Sequence, residues 1–156
     1  MRIILVVLVG FLFACSEQDV DRIHEIPLST EIETTNGKVV GNARQEGLLE
    51  YLGIPYASAP VGELRWRPPQ PIEDWKDKLD ATKAGLPCVQ PATLSEFYAR
   101  AYSETSEDCL TLNVWSRATS SSDKLPVMVW IHGGALVMGS GRDYDGAALT
   151  SKGVVV

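Results

Sequence analysis

The chain has no basic cluster. Its 14 lysines and arginines are scattered, and 20 acidic residues outnumber them, for a formal net charge of −6. That argues against a nucleic-acid partner, which needs a concentrated positive face. No repeat period is visible among the 13 glycines and 9 prolines, and the only low-complexity run is Ser120-Ser121-Ser122. No apolar run is long enough to cross a bilayer; the longest, residues 3–14, falls well short of the span a helix needs. Cysteine is sparse, with 3 in the chain, and histidine is limited to His24 and His132. What remains is ordinary for a globular protein, with 45% hydrophobic and 22% charged residues. The length suits one small domain or part of a larger one.

The first residues read as an address. Met1-Arg2 supplies a positive start, and residues 3–14 have the length of a signal-peptide apolar core. The run ends in Leu12-Phe13-Ala14-Cys15, followed by Ser16-Glu17-Gln18-Asp19. This resembles a bacterial lipoprotein signal, in which a small residue precedes a cysteine that is lipidated after cleavage. Phe13 is bulkier than that pattern usually carries. The alternative is an ordinary secretory signal with an incidental Cys15. Either way the expectation is export, with residues 1–15 removed or lipidated at Cys15. Residues 16–30 form a polar tether and residues 31–156 the folded part. A lipid at Cys15 would anchor the protein in the cell envelope; without it the protein would be secreted or periplasmic. Cys88 and Cys109 are then left in an oxidising compartment, where they form a disulfide or stay as two buried thiols.

Local pattern gives a coarse layout. Residues 31–35 and 38–41 flank Asn36-Gly37, a hairpin signal. Residues 48–52 read as another strand. From Gly53 the chain turns irregular, because Pro60, Pro68, Pro69 and Pro71 exclude a regular helix or a central strand. Residues 95–102 suggest a short helix. Residues 110–115 alternate as a strand, and residues 125–131 read as a fully buried one. Residues 147–152 form a helical turn ended by Gly153. Val154-Val155-Val156 starts a further buried strand, from which we expect the chain to be the N-terminal part of a longer protein.

The segment Pro126-Val127-Met128-Val129-Trp130-Ile131-His132-Gly133-Gly134-Ala135 holds the strongest chemical signal. A β-branched strand that breaks into glycine exposes backbone N–H groups at the end of a sheet. Such groups can hold a developing oxyanion. Taken alone, the same pattern is also that of a tight turn.

Four ordered blocks decide between the two. They are Gly53-Ile54-Pro55-Tyr56-Ala57 with Pro60-Val61-Gly62-Glu63-Leu64-Arg65-Trp66 and Pro68-Pro69-Gln70-Pro71; Cys88-Val89-Gln90; Ser106-Glu107-Asp108-Cys109-Leu110-Thr111-Leu112-Asn113-Val114; and Trp130-Ile131-His132-Gly133-Gly134-Ala135 with Tyr144-Asp145-Gly146. Together they resemble the start of a type-B carboxylesterase, the cholinesterase and para-nitrobenzyl-esterase family. The resemblance implies the α/β class: the N-terminal portion of an α/β-hydrolase fold, with a small β-hairpin and then the first strands of a central mixed sheet. It implies that Gly134 and Ala135 present their N–H groups to the oxyanion, with Ala135 in place of the commoner third glycine. Gly133 would serve close backbone approach, and His132 would order the loop. Cys88 and Cys109 match the family's first disulfide. Arg65 and Glu107 match a buried ion pair, although Arg65 alone reads equally as a solvated surface side chain.

His132 is not the expected general base. In α/β-hydrolases the triad runs Ser, then Asp or Glu, then His, all after the oxyanion loop. No Gly-x-Ser-x-Gly occurs in the 156 residues, and neither Ser140 nor Ser151 has that spacing. Between Cys88 and Cys109 there are Phe97, Tyr98 and Tyr102 but no tryptophan. That disfavours a choline ester, which cholinesterases hold by cation–π contact, and leaves other small carboxylic esters open. The resulting expectation is a lipid-anchored serine esterase acting by acyl transfer, with no metal or organic cofactor, whose nucleophile and general base are missing here. Two alternatives differ in class: a non-catalytic adhesion protein on the same scaffold, and a small lipoprotein domain complete at Val156.

Overall fold

Thr34 and Gly37 pair across a two-residue loop, Thr35-Asn36, and set the register of the first hairpin. Strand β1 (Glu31–Thr34) runs antiparallel to β2 (Gly37–Val40), with Ile32 opposite Val39. The turn therefore falls one residue earlier than Asn36-Gly37. The reason is local. Thr34 Oγ1 accepts from the Asn36 N–H at 3.3 Å and donates to Gly37 O at 2.7 Å, closing the chain on itself. Gly37 has φ 124°, and a side chain there would begin 2.7 Å from Trp75 Nε1. Trp75 caps the hairpin by donating that Nε1–H to Lys38 O at 2.8 Å. The computed structural model describes residues 29–92, 96 and 102–156. The expected signal, Cys15 and most of the expected helix at 95–102 lie outside the described residues.

Strand β3 (Asn42–Ala43) is short and pairs antiparallel with β4 (Leu49–Pro55). Strand β5 (Leu79–Asp80) adds parallel to β2. Strand β6 (Thr111–Ser116) pairs antiparallel with β4, with a register irregularity between Tyr51 and Ile54. The two sheets are thus β1-β2-β5 and β3-β4-β6. Between them lies a small core of Val39, Leu49, Tyr51 and Ala81, flanked by Ile54, Trp75, Leu79 and Val114. Alternation explains it: Leu49 and Tyr51 on β4 point to one face while Glu50 points to the other. There Glu50 Oε2 accepts from Trp115 Nε1 and from Arg44. Helix α1 (Ala147–Thr150) is a single turn, followed at residue 153 by glycine with φ 77°.

The β3-β4-β6 sheet continues by two short pairings. Trp115 and Val156 exchange both backbone hydrogen bonds, at 2.9 and 3.0 Å. Val155 in turn bridges Val127 in parallel, with Met128 N–H donating to Val155 O at 2.8 Å. The order outward is therefore β4, β6, residues 155–156, then residues 127–128. This mixed order carries residues 126–131 to the edge of the sheet.

Here one expectation is corrected. Residues 125–131 are extended but form only that one bridge, and they are not buried: Val127, Val129 and Ile131 are 71%, 80% and 85% exposed. A continuous apolar strand is buried only when layers cover both faces. Among the described residues one face of this segment is open, and the other is covered only in part, where Tyr144 packs on Trp130.

Candidate active site

Strand residues 126–131 deliver the chain into residues 132–139, a loop that doubles back on itself. Gly134 has φ 135°, Ala135 φ 54° and Leu136 φ 62°. Two successive non-glycine residues in the left-handed region are costly, at roughly 1–2 kcal/mol each. Such strain persists only where surrounding contacts impose it, and it clusters at functional sites. The imposing contacts are visible. Gly134 O accepts from the N–H groups of Val137 and Met138 at 3.0 and 3.1 Å. A side chain at Gly134 would begin 1.8 Å from Met138 O, so only glycine fits. The N–H groups of Gly134 and Ala135 donate to no protein acceptor among the described residues.

Gly133 does not behave as expected. Among the described residues nothing lies within 4 Å of where its side chain would begin. The close approach falls one residue later, at Gly134. His132 faces its own loop, with Nδ1 2.8 Å from Gly133 O. That contact requires the tautomer with the proton on Nδ1. A side chain at Gly139 would begin 2.6 Å from Gly133 O and 2.9 Å from His132 Nδ1. The outgoing end of the loop therefore lies directly against its incoming end.

The disulfide corner packs beside this loop. Cys88 and Cys109 are bonded, with Cα atoms 5.1 Å apart. Gln90, two residues on, reaches across to Gly139: its Oε1 accepts from the Gly139 N–H at 2.7 Å, and its Nε2 donates to Gly139 O at 3.2 Å and to Cys88 O at 3.0 Å. Asn113 on β6 acts similarly one turn further along, accepting from the Gly53 N–H at 2.9 Å and donating to Gly141 O at 3.5 Å. Both residues stand in the recognised blocks, but their roles have no local sequence signal. Their partners lie 49, 60 and 28 residues away.

Arg65 and Glu107 are paired at 2.5 Å, but the pair is not buried: the side chains are 55% and 39% exposed. The Arg65 guanidinium also lies 5.6 Å from the centre of the Trp66 ring. Arg65 follows a single 3-10 turn at Gly62–Leu64 that stands on the surface among the described residues. Tyr144 packs its ring on Trp130 at 5.5 Å between centroids, tilted by 55°. The adjacent Asp145 is exposed. Burial opposes its ionisation, yet hydrogen bonds from the Ala147 N–H and Arg44 outweigh that and hold its carboxyl below the usual range. Arg44 Nη1 bridges Asp145 and Glu50 at 2.9 and 3.0 Å, tying this block to β4. No group of His, Cys, Asp and Glu among the described residues is arranged to hold a metal ion.

Comparisons with known proteins agree with this arrangement. A family model described as "Carboxylesterase family" matches residues 28–156. The para-nitrobenzyl esterase of Bacillus subtilis is 45% identical over 127 residues, covering 80% of this chain and 26% of that protein. The fumonisin B1 esterase of Sphingopyxis macrogoltabida is 46% identical over 126 residues, covering 79% and 22%. A solved para-nitrobenzyl esterase structure superposes with a TM-score of 0.69 at 42% identity, covering 81% of this chain and 26% of its own. A Geobacillus stearothermophilus carboxylesterase gives 0.68 at 42% identity, covering 81% and 25%. The chain thus spans about a quarter of the length of these relatives.

Proposed function

Since the chain belongs to the carboxylesterase family and has the N-terminal portion of its α/β-hydrolase fold, we propose that it supplies the oxyanion half of a serine esterase active site. In the reaction, a serine attacks the ester carbonyl, the resulting tetrahedral oxyanion rests on the Gly134 and Ala135 N–H groups, and water then releases the acyl-enzyme. The observation that carries this reading is the pair of N–H groups without an acceptor among the described residues, on a loop held in a strained, left-handed path. Donors fixed in advance gain their effect because nothing must reorganise as charge develops.

The substrates are small carboxylic esters. The para-nitrobenzyl and fumonisin B1 esterases support that class by name. His132 orders the loop through Gly133 O and is not the base. The nucleophile, the acid and the general base come from outside these 156 residues, because no Gly-x-Ser-x-Gly occurs in them. No cofactor is required by acyl transfer of this kind. The reading of residues 1–15 as a lipoprotein signal ending at Cys15 supports a lipid anchor that would hold the protein on a membrane of the cell envelope. Metabolic labelling with a palmitate analogue, lost in Cys15→Ser, tests that placement.

A fluorophosphonate probe tests the catalytic reading. The whole protein takes up one label, on a serine outside residues 1–156, and the 156-residue chain alone takes up none. Stoichiometric label on Ser140 or Ser151 would overturn it. A whole protein that stays unlabelled would favour the second reading, a non-catalytic adhesion protein on the same scaffold.

A further inference from the structure

Gln90 makes three hydrogen bonds with a single side-chain amide, and two of them go to one residue. Its Oε1 accepts from Gly139 N–H at 2.7 Å while its Nε2 donates to Gly139 O at 3.2 Å, so both backbone polar groups of that residue, on successive peptide units, are held. The third bond, from Nε2 to Cys88 O at 3.0 Å, fixes the amide to the disulfide corner. The Gly139 N–H can only donate, which sets the amide orientation without ambiguity. Gly139 itself lies against Gly133 O and His132 Nδ1, and Met138 O lies against Gly134. The outgoing end of the loop is therefore the surface on which the donor-bearing end rests.

We infer that Gln90 is a positioning residue for ester hydrolysis: it clamps Gly139 to the Cys88–Cys109 corner and so holds the Gly134 and Ala135 N–H groups in line for the oxyanion. The inference rests on the esterase reading above. Its physical basis is that strained loops hold their path only when over-determined by their neighbours. Within residues 132–139 the hydrogen bonds seen among the described residues are local, from the Val137 and Met138 N–H groups to Gly134 O and between His132 Nδ1 and Gly133 O. The Gln90 amide is the long-range tie, reaching across 49 residues of sequence. Gln90 touches no reacting atom, so it acts through the loop. Losing the clamp should weaken binding of the transition state more than binding of the substrate.

The test uses the whole protein with Gln90→Ala and Gln90→Glu. Glutamate keeps the acceptor for Gly139 N–H but loses both donors and faces two carbonyl oxygens. For p-nitrophenyl butyrate, Gln90→Ala should lower kcat by roughly tenfold to a hundredfold, the scale expected of a small misplacement of catalytic groups, with KM changed little. The inhibition constant of a trifluoromethyl ketone, which forms an oxyanion adduct, should rise in the same proportion as kcat/KM falls. Gln90→Glu should lie between the wild type and Gln90→Ala. Amide hydrogen exchange over residues 133–139 should quicken in both variants while exchange in β4 and β6 is unchanged. Wild-type kcat and ketone affinity in folded Gln90→Ala, or unchanged exchange in the loop, would overturn the clamp. A wild type that hydrolyses no ester would defeat the esterase reading alone, and the exchange measurement would still decide the clamp. If Gln90→Ala does not fold, Gln90→Glu decides by the same readouts.

Discussion

Two side chains carry their consequences within a single residue. Tyr51 is 3% exposed, and its hydroxyl has no hydrogen-bond partner among the described residues. Burial pushes its phenol upward, as expected for a group that loses solvent without gaining a donor. An unsatisfied buried hydroxyl costs about 1–3 kcal/mol, so removing it can be neutral or favourable. Tyr51→Phe should leave thermal stability unchanged or raise it by about 1 kcal/mol; a clear loss in a thermal melt would show that the hydroxyl has a partner. Arg65 is the opposite case. Its pairing with Glu107 agrees with the family resemblance, but its exposure does not fit a buried bridge. A half-exposed pair contributes about 0–1 kcal/mol, whereas breaking a buried one costs about 3–5 kcal/mol. Arg65→Ala should therefore destabilise by less than about 1 kcal/mol in urea denaturation. A loss of several kcal/mol would mean that the pair is buried in the whole protein.

At the scale of elements, the disulfide and the Arg44 network do the tying. The bridge closes a sequence separation of 21, worth about 3 kcal/mol in the chain-entropy account. Cys88→Ser with Cys109→Ser should lower stability by about that amount and quicken exchange around Gly139, since Gln90 hangs from Cys88 O. Unaltered stability would mean that the corner is held by other contacts. Several carboxyls are also held below their usual range. Glu31 is lowered by Lys78 first and then Lys38, Asp80 by the Thr82 hydroxyl and N–H, and Asp145 by the Ala147 N–H and Arg44 against its burial. Each pKa is lower in the folded than in the unfolded state. Their stabilisation is therefore present above the ordinary carboxylate range and is lost as pH falls through the folded values. Stability should fall below about pH 4. The Asp145→Asn variant should lose less of its remaining stability across that window. A flat acid limb in the wild type would contradict the assignment.

Over the whole molecule, much of the plan was legible in the sequence, and the reason is locality. The hairpin, β4, β6 and the turn before Gly153 rest on alternation and turn chemistry within a few residues. The Thr34 side chain shifted the hairpin turn by one position, which pattern alone does not resolve. Residues 125–131 are extended as their pattern predicts, and most of them are exposed among the described residues. Burial depends on layers that no local pattern reports, and Val129 and Ile131 stand exposed here. At the loop, the close approach expected at Gly133 is seen among the described residues at Gly134. Gln90 could not be assigned a role, because a polar clamp on a distant backbone leaves no periodicity. The proposal that joins these findings is that the strained loop at Gly134 and Ala135 stabilises the oxyanion of ester hydrolysis. The most direct measurement is steady-state hydrolysis of p-nitrophenyl butyrate by the whole protein and by the 156-residue chain. Turnover is expected of the whole protein, and none above buffer of the chain. A folded whole protein without turnover, or a chain whose turnover survives repurification, would contradict it.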